Sequence, residues 1–276
     1  MTERRLALVL LSGGLDSTTV ATLAKGQGFD LFALTADYGQ THRQEIDAAR
    51  AVSASLGIPH EVVEVPFSAR LAWYSALTKP EAHAAPMGRT PREMSADIPI
   101  TYVPLRNTFL VTLGAAFLES QALHAIERES TPAVDLTATL FIAANAIDYS
   151  GYPDCRPEYY RAAAEVLRLG SKLGTQHGVP IRIETPLIAM TKADIVRLAA
   201  ELAAPLEQTW SCYAPGPAPC GRCDSCVLRA KGFAEAGLPD PALGQARGGR
   251  RVPSSAEPTK GLPRVSRRDP RPPVGG

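Results

Sequence analysis

The chain has 276 residues and a mass of 29.4 kDa, enough to bury the core of one large domain or two small ones. Hydrophobic residues at 45% and charged residues at 21% are ordinary globular usage, which excludes a mostly disordered chain, a collagen and a coiled coil. A net charge of +1 supplies no global field for nucleic acid or acidic lipid, and 6% aromatics is thin for base stacking, so neither partner is expected.

The polar start, Met1 to Arg5, leads straight into an apolar run without a signal-peptide pattern. No apolar run reaches the ~20 residues of a spanning helix, so no membrane association is expected and the expected compartment is the cytoplasm. Arg5 to Leu11 (RLALVLL) is of strand length. Residues 16–25 then read as a helix, Asp30 to Ala36 (DLFALTA) as a second strand, and residues 41–56 as a helix with Ile46, Ala49, Val52 and Leu56 on one face and Gly57 as its stop. His60 to Val65 is a third strand. Strand and helix in alternation predict an α/β fold, a parallel sheet with helices on both faces.

Residues 66–100 carry five prolines and no sustained period, which predicts a long loop: a substrate lid or a plain surface insertion. Helical spacing returns at Leu105 to Leu123. A polar interval, Glu127 to Asp135, precedes a buried-strand run, Thr137 to Ala144. Asn145 to Glu158 (NAIDYSGYPDCRPE) is a polar loop, and Pro157 opens a helix predicted to run to about Gly174. Ile181 to Thr185 is a short strand. Thr191 to Ala203 is a helix with Thr191 as N-cap and Asp194 three residues on. Residues 238–276 hold eight prolines, six glycines, seven arginines and one lysine against three acids, a composition that predicts a disordered basic tail.

Two motifs carry chemistry. The first, Leu11-Ser12-Gly13-Gly14-Leu15-Asp16-Ser17-Thr18-Thr19-Val20-Ala21, joins the first strand to the first helix. Its glycines permit a tight turn and close backbone approach, and the free amides of the helix's first turn form an anion site. Ser12, Ser17, Thr18 and Thr19 add hydroxyls. Asp16 cannot bind phosphate directly, so its expected role is to meet a bridging Mg2+. The string is neither a Walker A motif nor GxGxxG. SGGLDST after a strand resembles the PP-loop of the N-type ATP pyrophosphatases, which bind ATP and activate a carbonyl oxygen by adenylation.

The second motif is the set Cys212, Cys220, Cys223 and Cys226, whose last three form CGRCDSC. Each of the two overlapping CxxC units holds two thiolates on one turn, the bite a tetrahedral ion needs, and Cys212 joins them across a Pro/Gly-rich loop. Four thiolates predict one structural Zn2+ per chain, with an iron–sulfur cluster as the alternative that spacing leaves open. The fifth cysteine, Cys155, stands apart.

Taken together, the strings resemble the 7-cyano-7-deazaguanine synthase family, the nitrile-forming enzymes of queuosine biosynthesis within the PP-loop superfamily. The resemblance covers about residues 5–242. Besides the loop and cysteines it rests on DYGQ (37–40) with HRQE (42–45), IPITYVPLRN (98–107), DYSGYPDCRPE (148–158), TPLI (185–188) with TKAD (191–194), and WSCY (210–213). Two stretches depart from the family pattern: about a dozen residues around Glu127–Leu136, read as a surface insertion, and the tail beyond residue 243.

The resemblance implies an adenine nucleotide alpha hydrolase-like, Rossmann-like domain over 1–205, a zinc-binding part over 206–242 and the tail over 243–276. It implies conversion of 7-carboxy-7-deazaguanine and ammonia to 7-cyano-7-deazaguanine, driven by ATP with Mg2+. Lys192 and Arg106 are implied to neutralise charge on ATP. Asp148, Tyr149, Tyr152, Asp154 and Arg156 are implied to read the deazaguanine edge and its carboxylate. Oligomeric state stays open, with a homodimer as the candidate. The rival readings are a PP-loop enzyme acting on tRNA (a thiolase or lysidine-type ligase), a relative conjugating a deazaguanine to a protein, and a zinc-stabilised binding module.

Overall fold

The structure is a computed structural model that describes residues 3–38, 44–83, 86–89, 93, 98–147, 152–214 and 216–244. In chain order its elements are β1 (Arg4–Leu10), α1 (Leu15–Gly26), β2 (Asp30–Asp37), α2 (Gln44–Leu56), β3 (His60–Glu64), α3 (Phe67–Leu71), α4 (Arg106–Glu127), β4 (Leu136–Phe141), α5 (Pro157–Gly170), α6 (Lys172–Gln176), β5 (Ile181–Glu184), α7 (Lys192–Glu201), α8 (Asp224–Ala236) and α9 (Pro241–Gly244). The five strands form one wholly parallel sheet in the order β3-β2-β1-β4-β5.

A parallel sheet covered on both faces buries every residue of its central strands, which is why β1 and β4 read as continuous apolar runs. Side-chain alternation divides β1 between two cores. Ala7 and Val9 join the face covered by α1, α2, α7 and α8, through Val20, Val52, Ile195 and Phe233. Leu6 and Leu8 join the opposite face, covered by α4, α5 and α6 through Leu118, Tyr160 and Leu173. The helix α4 is long and apolar enough by composition to cross a membrane. Its Val111, Ala115, Leu118, Ala122 and Ala125 are spent on the second core, which makes it a core helix.

Several boundaries differ from the sequence expectation for local reasons. The helix expected to reach Gly174 stops at Gly170. Ser171 adopts extended backbone and its Oγ accepts from the Gly174 amide, so it caps α6 as a new helix. The helix expected to reach Ala203 ends at Glu201, and Ala203 turns left-handed with φ 51°. At its other end the Thr191–Asp194 pair forms the expected capping box. Within 66–100, α3 and a run of turns replace a plain loop, and the segment is tied down by Ala76 N donating to Ile100 O at 2.9 Å and Gly88 N to Arg222 O at 3.0 Å. Residues 128–130, in the inserted stretch, are exposed, and Thr131 N donates to Ala125 O at 2.9 Å. Residues 238–244, which the composition reading put in the disordered tail, are ordered instead: Asp240 pairs with Arg229 and α9 spans Pro241–Gly244, while residues 245–276 lie outside the described residues.

The C-terminal part shares the first core. Phe233 of α8 packs with Ile195 and Val196 of α7, and Arg229 forms a buried bidentate pair with Asp240 at 2.7 and 2.9 Å.

One half-buried group ties stability to pH. His60, at the start of β3, sits between Thr35 Oγ1 (2.7 Å from Nε2) and Ser53 Oγ (3.1 Å from Nδ1). Burial, then the nearby Arg50 charge, pushes its pKa down to about 4. The native protein therefore resists a proton that the unfolded chain accepts near pH 6.5. Stability is full above about pH 6.5 and declines as pH falls from there towards 4. A melting-temperature series from pH 7.5 to 4.5 should show that decline, and His60→Asn should flatten the part of it above pH 5. An unchanged slope in the variant would assign the acid sensitivity elsewhere.

Candidate active site

The strand order reverses direction between β1 and β4. In an open α/β sheet the crevice beyond the carboxyl ends of the strands at such a point is where ligands bind. A cavity of about 680 Å³ opens there, lined by Leu10 to Ser12 after β1, Leu34 to Ala36 of β2 and Ile142 to Asn145 after β4.

The loop Ser12–Gly14 forms one wall. Gly13 has φ +81°, and a Cβ added to it would lie 2.4 Å from the Glu45 carbonyl oxygen and 2.6 Å from the Ala49 amide nitrogen. Glycine is required there twice over, for its backbone angle and for the close passage of α2. Trp210 N donates to Gly13 O at 2.9 Å, so the loop is clamped between α2 and the 210 segment. Ser12 and Ser17 hydroxyls lie 3.0 Å apart and line the cavity with Gly14, Leu15 and Asp16. Thr18, Thr19, Val20 and Ala21 lie in the core instead. Thr19 Oγ1 donates to Leu15 O at 2.9 Å, and Thr18 Oγ1 is buried with no partner among the described residues. The expected hydroxyl set therefore contracts to Ser12 and Ser17.

Lys192, the first residue of α7, is buried and reaches the loop. Its Nζ donates to both carboxylate oxygens of Asp16 at 3.0 and 2.8 Å. Gly232 makes the approach of α8 possible, since a Cβ there would lie 2.4 Å from Lys192 Cγ. Arg106, the first residue of α4, forms the second cationic wall. Its guanidinium is hydrogen-bonded to the Tyr38 phenol, and the facing groups Tyr38, Tyr152, Tyr213 and Asp154 hold it firmly charged despite its burial. Burial pushes the Glu45 carboxyl up to about 7, against the pull of Arg106.

The 152–156 segment divides. Tyr152 and Cys155 line the cavity; Tyr152 OH pairs with Thr101 Oγ1 at 2.8 Å. Burial pushes the Cys155 thiol up to about 11, so it stays neutral. Asp154 is buried and turned onto Asn107, whose amide N lies 3.3 Å from its Oδ2, and it does not line the cavity. Arg156 is exposed at the residue before α5 and is likewise absent from the lining. Asp148 and Tyr149 lie outside the described residues. Sequence reasoning missed Glu45, Tyr38 and Arg229. Arg229 lines the cavity and donates to Thr209 Oγ1 and Ser211 Oγ at 2.9 and 3.1 Å, fixing the segment that clamps Gly13.

The four cysteines of the C-terminal part converge, with all Sγ atoms within 4.8 Å of one another. A tetrahedral tetrathiolate site with metal–sulfur bonds of about 2.3 Å needs sulfurs about 3.8 Å apart, so the set fits a metal closely. Backbone amides already point at the sulfurs: Ala214 N and Cys220 N at Cys212 Sγ (3.3 and 3.2 Å), Arg222 N and Cys223 N at Cys220 Sγ (3.4 and 3.3 Å). The Cys223 thiol is pulled down to about 5 by a hydrogen bond from Cys226, whose own thiol is pushed up by the same contact.

A phosphate-type loop on a helix N-terminus, a lysine–aspartate pair beside it and a second cation across a switch-point cavity define a PP-loop-type α/β enzyme. The comparisons with known proteins agree on the particular family. The model for queuosine biosynthesis protein QueC matches residues 6–237. A 7-cyano-7-deazaguanine synthase of Thermosynechococcus vestitus is 47% identical over 87% of this chain and 96% of its own length. Synthases of the same name from Anaeromyxobacter sp. and Thermoplasma acidophilum are 50% and 44% identical, covering 86% and 87% of this chain and 95% and 92% of theirs. The chain belongs to this QueC family of carbon–nitrogen-bond-forming enzymes.

Proposed function

We propose that the chain converts 7-carboxy-7-deazaguanine and ammonia to 7-cyano-7-deazaguanine with ATP, in two activations within one cavity. The observation that carries this reading is the single space in which the phosphate loop, Lys192, Arg106 and a tyrosine-rich wall all meet. A carboxylate repels nucleophiles and has no leaving group. Adenylation removes its charge and installs one, so ammonia can attack to give the amide. The amide oxygen is then adenylated in turn and leaves with AMP, which yields the nitrile.

The chain's own groups fit these steps. The amides at the start of α1 and the hydroxyls of Ser12 and Ser17 hold phosphate oxygens as charge develops on them. Lys192 and Arg106 offset negative charge on the nucleotide. Tyr152 faces the deazaguanine, a substrate role that the family resemblance also implies for Asp148 and Tyr149. The Asp16 carboxylate with the two serine hydroxyls is an all-oxygen donor set of the kind Mg2+ takes, and that ion would shield the triphosphate. Zn2+ at Cys212, Cys220, Cys223 and Cys226 would lock the segment that clamps the loop. Reduced thiols held for a metal suit the cytoplasm.

The test is a rapid-quench time course on the purified protein. From the acid, ammonia is required, the amide rises and then falls, and two ATP are consumed per nitrile, with AMP and pyrophosphate as products. From 7-amido-7-deazaguanine, the nitrile forms without ammonia, because the nitrogen is already in place. Failure to process the amide, a single ATP per nitrile, or ADP and phosphate as products would overturn the double adenylation.

A further inference from the structure

We propose that Glu45 is a catalytic base of this reaction, the carboxylate that takes the protons nitrogen must lose on its way from ammonia to nitrile. The inference rests on the function proposed above and adds a group that the phosphate loop and the cations do not supply.

Neither half-reaction closes without a proton acceptor. When ammonia attacks the adenylated carbonyl, a C–N bond forms and the nitrogen becomes positively charged. It must release a proton before the C–O bond to AMP breaks, with the electron pair leaving on the phosphate oxygen. In the second half the amide oxygen is adenylated and its nitrogen bears two protons. One leaves to give the imidate adenylate. The other leaves as the C–O bond breaks and the third C–N bond forms. Every one of these protons departs from nitrogen, so one well-placed base serves all of them and passes each on to water between steps.

Glu45 is placed for that task. It is the second residue of α2, and its carbonyl oxygen abuts Gly13, so the start of α2 is pressed against the phosphate loop. Glu45 lines the same cavity as Ser12, Asp16, Arg106 and Tyr152, and its carboxyl lies within electrostatic reach of the Arg106 guanidinium. Among the described residues that line this cavity the only carboxylates are Asp16 and Glu45. Asp16 is occupied by Lys192. Asp154 is turned onto Asn107 and away from the lining, and the phenols of Tyr38 and Tyr152 and the Cys155 thiol all have pKa values raised by burial. The charged and titratable groups facing Glu45 are Arg106 of α4 and Tyr38 after β2. Asp16 of α1, Lys192 of α7, Arg229 of α8, Tyr152, Cys155, Tyr160 and Tyr213 lie farther round the same lining. Burial raises Glu45 to about 7, where it is part ionised at neutral pH and can both take and return a proton.

The test uses the full-length, metal-loaded protein and its Glu45→Gln variant. With the acid and no ammonia, ATP–pyrophosphate exchange reports adenylation alone. The variant should exchange within about 3-fold of the parent, since no nitrogen proton is lost in that step. With 7-amido-7-deazaguanine and ATP, nitrile formation should fall at least ~100-fold, the lower end of general base catalysis. The amide substrate also removes the titration of free ammonia from the pH profile. The parent should then gain rate as pH rises through about 7, the glutamine variant should lose that limb, and Glu45→Asp should keep it at a reduced rate. A nitrile rate within a few-fold of the parent, a limb that persists in Glu45→Gln, or exchange that collapses along with nitrile formation would overturn the role of Glu45. If the parent itself neither exchanges nor makes nitrile, the proposed function has failed first, and this role goes with it.

Discussion

Asp16→Asn should lower turnover at least ~100-fold while leaving a folded protein, the scale expected for removing one electrostatic group aimed at a reacting phosphate. The substitution keeps the side chain's volume and removes its charge. That charge is balanced by Lys192, which lies 2.8 Å away with its own side chain only 8% exposed. The pair keeps the lysine's head at the phosphate loop, although the two residues are 176 positions apart in sequence. Phosphates entering beside Lys192 would offer it a stronger set of anions, and the Asp16 carboxylate would then be free to meet a divalent cation that accompanies them. Two readouts separate these tasks. If Asp16 meets Mg2+, the half-saturating Mg2+ concentration should rise in Asp16→Asn. If it only holds the lysine, Mg2+ dependence should stay put while the KM for ATP changes. A variant with near-parental rate would remove Asp16 from the mechanism altogether. Lys192→Met should cost activity comparably, with a melting temperature several degrees lower, because it leaves a part-buried carboxylate without its partner.

The parts of this site that could be read from sequence are those whose determinants are contiguous. The phosphate loop follows a buried strand without interruption, and its two glycines and helix start are local requirements. The CGRCDSC spacing brings three thiols together within seven residues, and Thr191–Asp194 is a cap complete within four residues. The parts that could not be read depend on contacts across the fold. The string HRQE (42–45) marks Glu45 as part of a family motif but assigns it no role, and its sequence neighbour Asp47 is an ordinary exposed acid of the same helix. The meaning of Glu45 comes from Gly13, which lets α2 approach the loop, and from Arg106 on a helix sixty residues later. Arg229 looks like a surface residue of α8 until Asp240 folds back beside it. Of the residues singled out in the polar 148–158 loop, Tyr152 lines the cavity while Asp154 and Arg156 do not, and Cys155, given no role, does. In such a loop backbone turns decide orientation, and they send Tyr152 and Cys155 into the cavity, Asp154 onto Asn107 and Arg156 to solvent.

Cys223→Ser should abolish metal retention and, with it, both a large share of stability and the activity. The parent should carry about one zinc per chain by elemental analysis; iron with labile sulfide in its place would overturn the assignment. Cys223 is fully buried immediately before α8 and sits at the junction of three segments. It bridges to Met87, whose side chain lines the cavity, and next to it the Arg89–Asp224 ion pair fastens the 86–89 segment to the start of α8. On the other side Cys212 O accepts from Trp210 Nε1 at 3.0 Å, and Trp210 N donates to Gly13 O of the phosphate loop. Structural zinc contributes its binding free energy to folding, so losing even ~4 kcal/mol of it should lower the melting temperature by about 8–16 °C in a domain of this size. The chain of contacts through Trp210 adds a second expectation. Partial chelation at a temperature where the protein remains folded should raise the KM for ATP before it lowers secondary structure, because the clamp on Gly13 loosens ahead of the core. Loss of helix signal in step with loss of ATP affinity would instead mean that the metal holds the whole domain and not the loop in particular.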